Sequence, residues 1–233
     1  MEKEISIQLL QKTRDVQIIT GSRKSAVYPL HFRGYGLGIF SADYNGRQIY
    51  WHTGGAAGMV SNVCFVPEEN LGIAILTNND NQGFFESLRF QVLDAYLGVP
   101  YVNRSLQQLP AFNREMETSI KEVKEWILRS TGENIPLGLS AYTGSYTNPL
   151  YGKMTVTGYQ GKSLVLRFDS HPDLTATLVY LGNNEWMLRY ENIEYGIFKT
   201  SFTIQKGKVI SVNIKANDFV EYDPYTFTKT ITK

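Results

Sequence analysis

The stretch IYWHTGGAAGMVSNVCFVP, residues 49–67, decides how the first half of this chain is read. Two strand-like runs flank the break His52-Thr53-Gly54-Gly55, which reads as the end of one strand. A polar pair followed by two residues of unusual backbone freedom is suited to bringing another molecule against a strand edge. His52 offers a donor or partial positive charge, and Thr53 a hydroxyl for a carboxylate or carbonyl. Gly54 and Gly55 leave backbone N–H groups approachable. A four-residue pattern of this kind is, by itself, more often structural than catalytic.

Working outward, the spacing of Ile5, Leu9, Leu10 and Val16 predicts a short helix over about Ile5 to Val16, then a polar connection through Gly21-Ser22-Arg23-Lys24. Four strands follow: Tyr35 to Ser41, Arg47 to His52, Ser61 to Val66 and Gly72 to Thr77. Tyr44-Asn45-Gly46 and Pro67-Glu68-Glu69-Asn70 supply turns, so an antiparallel sheet is expected. Asn78-Asn79-Asp80-Asn81 offers caps for a helix from Phe84 to Leu97, with Phe85, Leu88, Val92 and Tyr96 on one face and Gly98 and Pro100 ending it. A second helix is expected from Ala111 to Ser130, stopping at Thr131-Gly132, with Lys121, Glu122, Lys124, Glu125 and Arg129 as a solvated face.

Beyond Pro136 the apolar residues recur at a period of two, as in Leu164-Leu166-Phe168 and Trp186-Leu188-Tyr190. Gln160-Gly161, Gly182-Asn183-Asn184 and Lys206-Gly207 separate the runs. Many short strands without an intervening helix predict a small barrel or sandwich over residues 139–233. Its tyrosines, among them Tyr142, Tyr146, Tyr151, Tyr159, Tyr180, Tyr190, Tyr195, Tyr222 and Tyr225, either pack the barrel wall or line a ligand cup. The expected fold class is therefore α+β: a partial antiparallel sheet with flanking helices, followed by a small all-β barrel.

Composition narrows the function. The 233 residues carry 23 basic and 22 acidic side chains, a formal net charge of +1, which gives no bulk reason to expect nucleic acid or an anionic membrane as partner. The single cysteine, Cys64, excludes an internal disulfide and reads as a small buried residue within an alternating run. His31, His52 and His171 lie far apart without ligand spacing, so neither a metal nor another cofactor is expected. No segment reads as a signal peptide, and no apolar stretch is long enough to form a transmembrane segment.

One order of motifs is specific. Tyr35-Gly36-Leu37-Gly38, a hairpin, Trp51-His52-Thr53-Gly54-Gly55, Gly58, Ser61, Val63 to Pro67, Leu71 to Asn78 and a closing helix resemble, over about Ile5 to Val99, the carboxy-terminal part of serine β-lactamase-like hydrolases. That family includes class C β-lactamases, D-alanyl-D-alanine carboxypeptidases and esterases. The resemblance implies that His52-Thr53-Gly54 is the third motif, K/H-T/S-G. His52 then shapes the polar network of the site and Thr53 binds the substrate carboxylate. Gly54 leaves room for the substrate, and the Gly55 N–H is one of two oxyanion donors. Histidine in place of lysine is charged only in part near neutrality, which favours peptidase or esterase chemistry over β-lactam hydrolysis. Tyr142-x-Gly144-x-Tyr146, Leu164-Val165-Leu166 and Tyr222 to Phe227 resemble the lipocalin-like barrel appended to such hydrolases.

The family's nucleophile is a serine in S-x-x-K, with a Y-x-N motif as base or proton shuttle. No serine here is followed three positions later by lysine, and no G-x-S-x-G is present. The triplets Tyr101-Val102-Asn103, Tyr146-Thr147-Asn148 and Tyr190-Glu191-Asn192 all follow His52, against the family order, and read as structural. The chain is therefore expected to be a carboxy-terminal fragment of a penicillin-recognising serine hydrolase, silent alone, with residues 1–100 from the hydrolase domain, 101–138 a helical linker and 139–233 the barrel. Its implied partners are a small-molecule, peptide or ester substrate and the missing amino-terminal part of the hydrolase domain. The family implies a periplasmic or secreted setting. The alternative is a non-catalytic ligand-binding barrel on a vestigial hydrolase scaffold.

Overall fold

The structure is a computed structural model that describes residues 5–56, 58–79, 82–130, 134–159, 161, 163–215 and 223–230. The chain divides into two units, residues 1–115 and 116–233. Among the described residues no helix is long and apolar enough to cross a membrane.

The first unit is a six-stranded antiparallel meander. Helix α1 (Ile7–Arg14) begins on Ser6, whose Oγ accepts the Leu9 N–H at 3.2 Å. The strands are β1 (Ile18–Gly21), β2 (Arg33–Tyr35), β3 (Phe40–Tyr44), β4 (Arg47–Ala56), β5 (Met59–Val66) and β6 (Leu71–Thr77), paired in sequence order. The β3–β4 hairpin turns on Asn45 (φ 48°) and Gly46 (φ 78°), both in the left-handed conformation that a two-residue hairpin loop demands. Between β5 and β6 the expected Pro67-to-Asn70 turn is a single 3₁₀ turn closed by Asn70 at φ 50°.

Two strand expectations are corrected. Tyr35 to Ser41 is not one strand: the chain folds back between β2 and β3, where the Gly36 N–H donates to the Ile39 carbonyl at 2.8 Å. Gly36 lies against α1 so closely that a Cβ there would sit 2.3 Å from the Thr13 carbonyl oxygen. The supposed polar connection before Arg23 contains β1, an edge strand whose exposed Ile18 and Ile19 gave no alternating signal.

Helix α2 (Gln82–Tyr96) packs on β5 and β6. Its buried face is Phe85, Arg89, Phe90 and Leu93, whereas the expected Leu88 and Tyr96 are exposed. The sheet sets this rotation, because Phe90 stacks on Tyr28 and Tyr44 with ring centroids 3.9 and 5.5 Å away. Gly98 (φ 69°) ends the helix, with the Val99 N–H returning to the Asp94 carbonyl at 2.9 Å. The cap expected at Asn78 to Asn81 involves Asp80 and Asn81, which lie outside the described residues, as do the Thr131-Gly132 helix stop, Gln160 and Tyr222.

Helix α3 spans Arg104–Arg129, starting seven residues before the expected Ala111 and carrying Pro110 inside it. A proline in a helix interior costs about 3 kcal/mol, and two contacts offset it. Asn103 caps the first turn, its Oδ1 accepting the Leu106 N–H at 2.9 Å. Arg104, 3% exposed, donates from Nε to Asp94 Oδ2 at 2.7 Å, and the Tyr44 hydroxyl donates to Asp94 Oδ1 at 2.5 Å.

The second unit closes into an eight-stranded antiparallel barrel in the order β10-β11-β12-β13-β14-β7-β8-β9. These are β7 (Gly144–Asn148), β8 (Gly152–Tyr159), β9 (Ser163–Phe168), β10 (His171–Gly182), β11 (Glu185–Tyr190), β12 (Ile197–Gln205), β13 (Lys208–Ile214) and β14 (Tyr225–Lys229). Asn183 and Asn184 turn β10 into β11 with positive φ, as do Lys206 and Gly207 between β12 and β13. Tyr142, Tyr146, Trp186 and Phe202 are fully buried and meet edge-to-face or tilted in the barrel interior. The Tyr146 hydroxyl donates to the Tyr142 carbonyl at 2.6 Å and the Tyr190 hydroxyl to that of Lys215 at 3.0 Å. These tyrosines pack the interior instead of lining a cup.

Two predictions follow from these contacts. Asp94→Ala leaves Arg104 buried without its counter-charge and is expected to destabilise the first unit by about 3–5 kcal/mol; hydrogen exchange of β3 and α2 amides measures it, and unchanged protection would contradict it. In the barrel, Glu185 accepts from Lys199 and Arg129, each at 2.8 Å, and these hydrogen bonds, Lys199 first, hold its carboxyl below the ordinary 4.5. The stabilisation, about 1 kcal/mol for such half-exposed pairs, is present above pH 4.5 and lost as pH falls through the lower folded value. The stability gap between wild type and Glu185→Gln, followed by urea unfolding, should therefore close in acid.

Candidate active-site strand

The break expected at His52 is instead the second half of a long strand. β4 runs ten residues, through His52-Thr53-Gly54-Gly55 to Ala56. Its partner β5 pairs His52 with Val63, Thr53 with Asn62, Gly54 with Ser61, Gly55 with Val60 and Ala56 with Met59. The chain reverses beyond Ala56, where Gly58 takes φ 79°. On the opposite edge the β3 ladder ends at the Phe40–Trp51 pair. Among the described residues, no strand continues along β4 past Trp51 on that side. The four motif residues thus lie on a strand supported along one edge only.

Alternation sends His52 and Gly54 to one face and Thr53 and Gly55 to the other. His52 is exposed, and its Nε2 lies 3.1 Å from the Tyr35 hydroxyl. Its ring stacks 5.9 Å from Phe40, which also stacks on Trp51 at 5.2 Å. These contacts fix the imidazole at the point where β3 stops. Thr53 is half-buried opposite Asn62, which is 1% exposed with neither side-chain amide atom hydrogen-bonded. A buried amide without partners is rare enough to need an explanation, and here it sits in register with the threonine of the motif.

Gly54 has a specific neighbour: a Cβ there would lie 2.8 Å from Ser61 Oγ, which donates to the Gly54 carbonyl at 3.4 Å. The obstacle is one rotatable hydroxyl, so the strand itself does not require glycine at this position.

Tyr35, Asn62 and Ser61 were not singled out as site residues from the sequence. The β4–β5 register, in which paired positions sum to 115, puts Asn62 opposite Thr53; Tyr35 reaches His52 only through the intervening β3. Among the described residues no cluster of three metal-ligating side chains occurs. His31 instead pairs with Asp43, Nδ1 to Oδ2 at 3.0 Å. Cys64 is fully buried and burial pushes its thiol up to about 11, so it is not a nucleophile.

In each of the three Y-x-N triplets the asparagine side chain serves a local cap or turn. Asn103 caps α3, Asn148 accepts the Leu150 and Tyr151 N–H groups, and Asn192 accepts that of Glu194.

From this geometry, Gly54→Ala is expected to change stability by less than about 1 kcal/mol, because Ser61 rotates aside and the lost glycine freedom compensates. Thermal unfolding of Gly54→Ala and of Gly54→Ala with Ser61→Ala checks this, and a loss above 2 kcal/mol in the double variant would contradict it.

Comparison with known proteins agrees with the geometry. Residues 7–97 match the Beta-lactamase family, and residues 128–229 match a Domain of unknown function (DUF3471). Unguisins hydrolase ungD' of Aspergillus campestris is 24% identical over 166 residues, 66% of this chain. The chain spans about a third, 31%, of that relative's length. Among solved structures, the octameric penicillin-binding protein homologue from Pyrococcus abyssi is 18% identical, covering 97% of this chain and 42% of that one, at a TM-score of 0.34. SurE with D-Leu is 15% identical, covering 96% and 43%, at 0.31. The match to the Beta-lactamase family thus covers the six-stranded sheet unit, residues 7–97, and an eight-stranded barrel follows that stretch.

Proposed function

We propose that the His52-to-Ala56 half of β4 is the substrate-binding wall of an acyl-transferring serine hydrolase of peptidase or esterase type. The observation that carries this is the strand edge itself: β4 is paired to β5 as far as Ala56, whereas its ladder to β3 stops at Trp51. An extended acyl or peptide substrate gains main-chain hydrogen bonds by lying along such an edge. The Thr53 hydroxyl is placed to take a carboxylate or amide at one end of it. The Gly55 N–H is the donor for the oxyanion that forms when a serine oxygen adds to the substrate carbonyl, a contact worth roughly 3 kcal/mol in the transition state.

His52 contributes through its contact with Tyr35. When the imidazole is neutral and Nε2 carries no proton, the tyrosine donates to it and Nδ1 is left as a donor; when it is protonated, Nε2 donates to the tyrosine oxygen. Either way the ring is held at the entrance to the edge.

The nucleophile in this reading comes from polypeptide outside the sequence considered, since no serine in it stands three residues before a lysine. Its oxygen attacks the acyl carbon, the alcohol or amine leaves with a proton, and water then releases the acid from the acyl-enzyme.

Two outcomes test this. Intact mass after exposure of this chain to a fluorophosphonate or a β-lactam is expected to show no adduct; a stoichiometric serine adduct would falsify the assignment of the nucleophile. In a polypeptide that also carries S-x-x-K, Thr53→Val should lower kcat/KM by about 10- to 100-fold, the loss of one substrate hydrogen bond. Unchanged kinetics would remove Thr53 from the site.

A further inference from the structure

A second cavity of about 440 Å³ opens in the first unit between α2, β3, β4 and the loop before β2. Arg89 projects into it from α2. Its side chain is 2% exposed, yet neither Nε nor Nη1 has a hydrogen-bond partner. The nearest acid, Glu86, stands one helical turn back, with its Oε1 3.7 Å from Nη2, beyond hydrogen-bond reach, and is itself 43% exposed. The guanidinium is held between rings, 4.9 Å from the centroid of Trp51 and 4.5 Å from that of Phe90. Cation–π contact of this kind positions a charge without satisfying its donors.

Removing a guanidinium from water without a carboxylate is among the costlier arrangements a core can hold. The rest of the cavity wall adds to the imbalance. Arg23, Lys24 and Arg33 stand exposed at its rim, and Glu86 is the one acid among the described lining residues. Four cations against one anion leave a formal excess of +3 around a pocket whose other walls include Leu30, Ile49, Trp51 and Phe90.

We infer that this cavity binds a carboxylate carried on an apolar body, with Arg89 as the anchoring residue and the rim cations drawing the anion in. A monoanion suits the site better than inorganic phosphate, because the apolar walls offer nothing to the remaining charge of a dianion. The cavity differs from the His52 site: Trp51 contributes its ring to this wall and His52 turns to the opposite face, while Thr53 and Gly55, on the Trp51 face, do not line the cavity. Burial pushes the Arg89 guanidinium down from its ordinary value, and a bound carboxylate would reverse that.

The carboxylate has two chemical sources, a free small molecule or an acidic side chain of a further polypeptide segment laid across the cavity. Isothermal titration of 4-phenylbutyrate into this chain should show saturable binding. The neutral 4-phenylbutyramide and Arg89→Met should each weaken it at least tenfold, with inorganic phosphate much weaker than the carboxylate. Arg33→Gln, at the exposed rim, should weaken it about threefold without touching the core, which keeps the test decisive if Arg89→Met fails to fold.

Repeating the titration on a longer polypeptide that includes further hydrolase sequence separates the sources. Retained binding assigns the cavity to a free ligand, and binding lost there but present in this chain assigns it to an internal acid. No binding to this chain, equal binding of the amide, or full binding to a folded Arg89→Met variant overturns the inference. None of these readouts depends on the hydrolase reading of β4, so failure of one does not imply failure of the other.

Discussion

The first unit depends on one buried ion pair. Asp94, near the end of α2, accepts from Arg104 at the start of α3 and from the Tyr44 hydroxyl at the end of β3. Arg104 Nη1 also donates to the Val27 carbonyl at 3.0 Å, and its guanidinium lies over the Tyr28 ring. A single carboxylate thus ties strand, helix end and helix start together. Both of its oxygens are used, the condition under which burying a charge pair is tolerated. Tyr28 and Tyr44, held by this network, are the rings on which Phe90 stacks, so the ion pair also sets the rotation of α2 on the sheet. That rotation points Arg89 into the neighbouring cavity.

The β4–β5 hairpin converts this rigidity into a site. Its ten-residue strand outruns β3 by five residues, and Tyr35 and Phe40 close around the imidazole at the point of departure. A binding edge built on a paired strand is more exactly placed than one on a loop, because each backbone group on the supported side is already fixed by β5. The glycines keep the edge thin, and only Ser61 Oγ stands near the space over Gly54.

The barrel solves a different problem. Eight strands give an interior just wide enough for side chains to fill, and the edge-to-face and tilted cluster of Tyr142, Trp186 and Phe202 occupies part of it. Of the buried hydroxyls, those of Tyr146 and Tyr190 find backbone carbonyls at Tyr142 and Lys215, while the Tyr142 hydroxyl has no partner among the described residues.

The antiparallel sheet, the hairpin at Asn45-Gly46, the end of α2 at Gly98 and the run of short strands after Pro136 were legible in the sequence, because each rests on local periodicity or on a residue that tolerates positive φ. The motif His52-Thr53-Gly54-Gly55 was legible as chemistry but misread as a strand end, since glycines look like a break until a partner strand pairs with them. The first turns of α3, before the expected Ala111, were not read as helix, because the Asp94 that anchors Arg104 is close in space but was not visible as its partner in the sequence. Sequence by itself determined which residues prefer strand, turn or helix and which carry reactive groups. Only the tertiary structure decided that Tyr35 meets His52, that Asn62 faces Thr53 and that Arg89 is buried with no carboxylate of the described residues in hydrogen-bond reach, because those relations depend on cross-strand register and helix rotation, which contacts far apart in the chain impose.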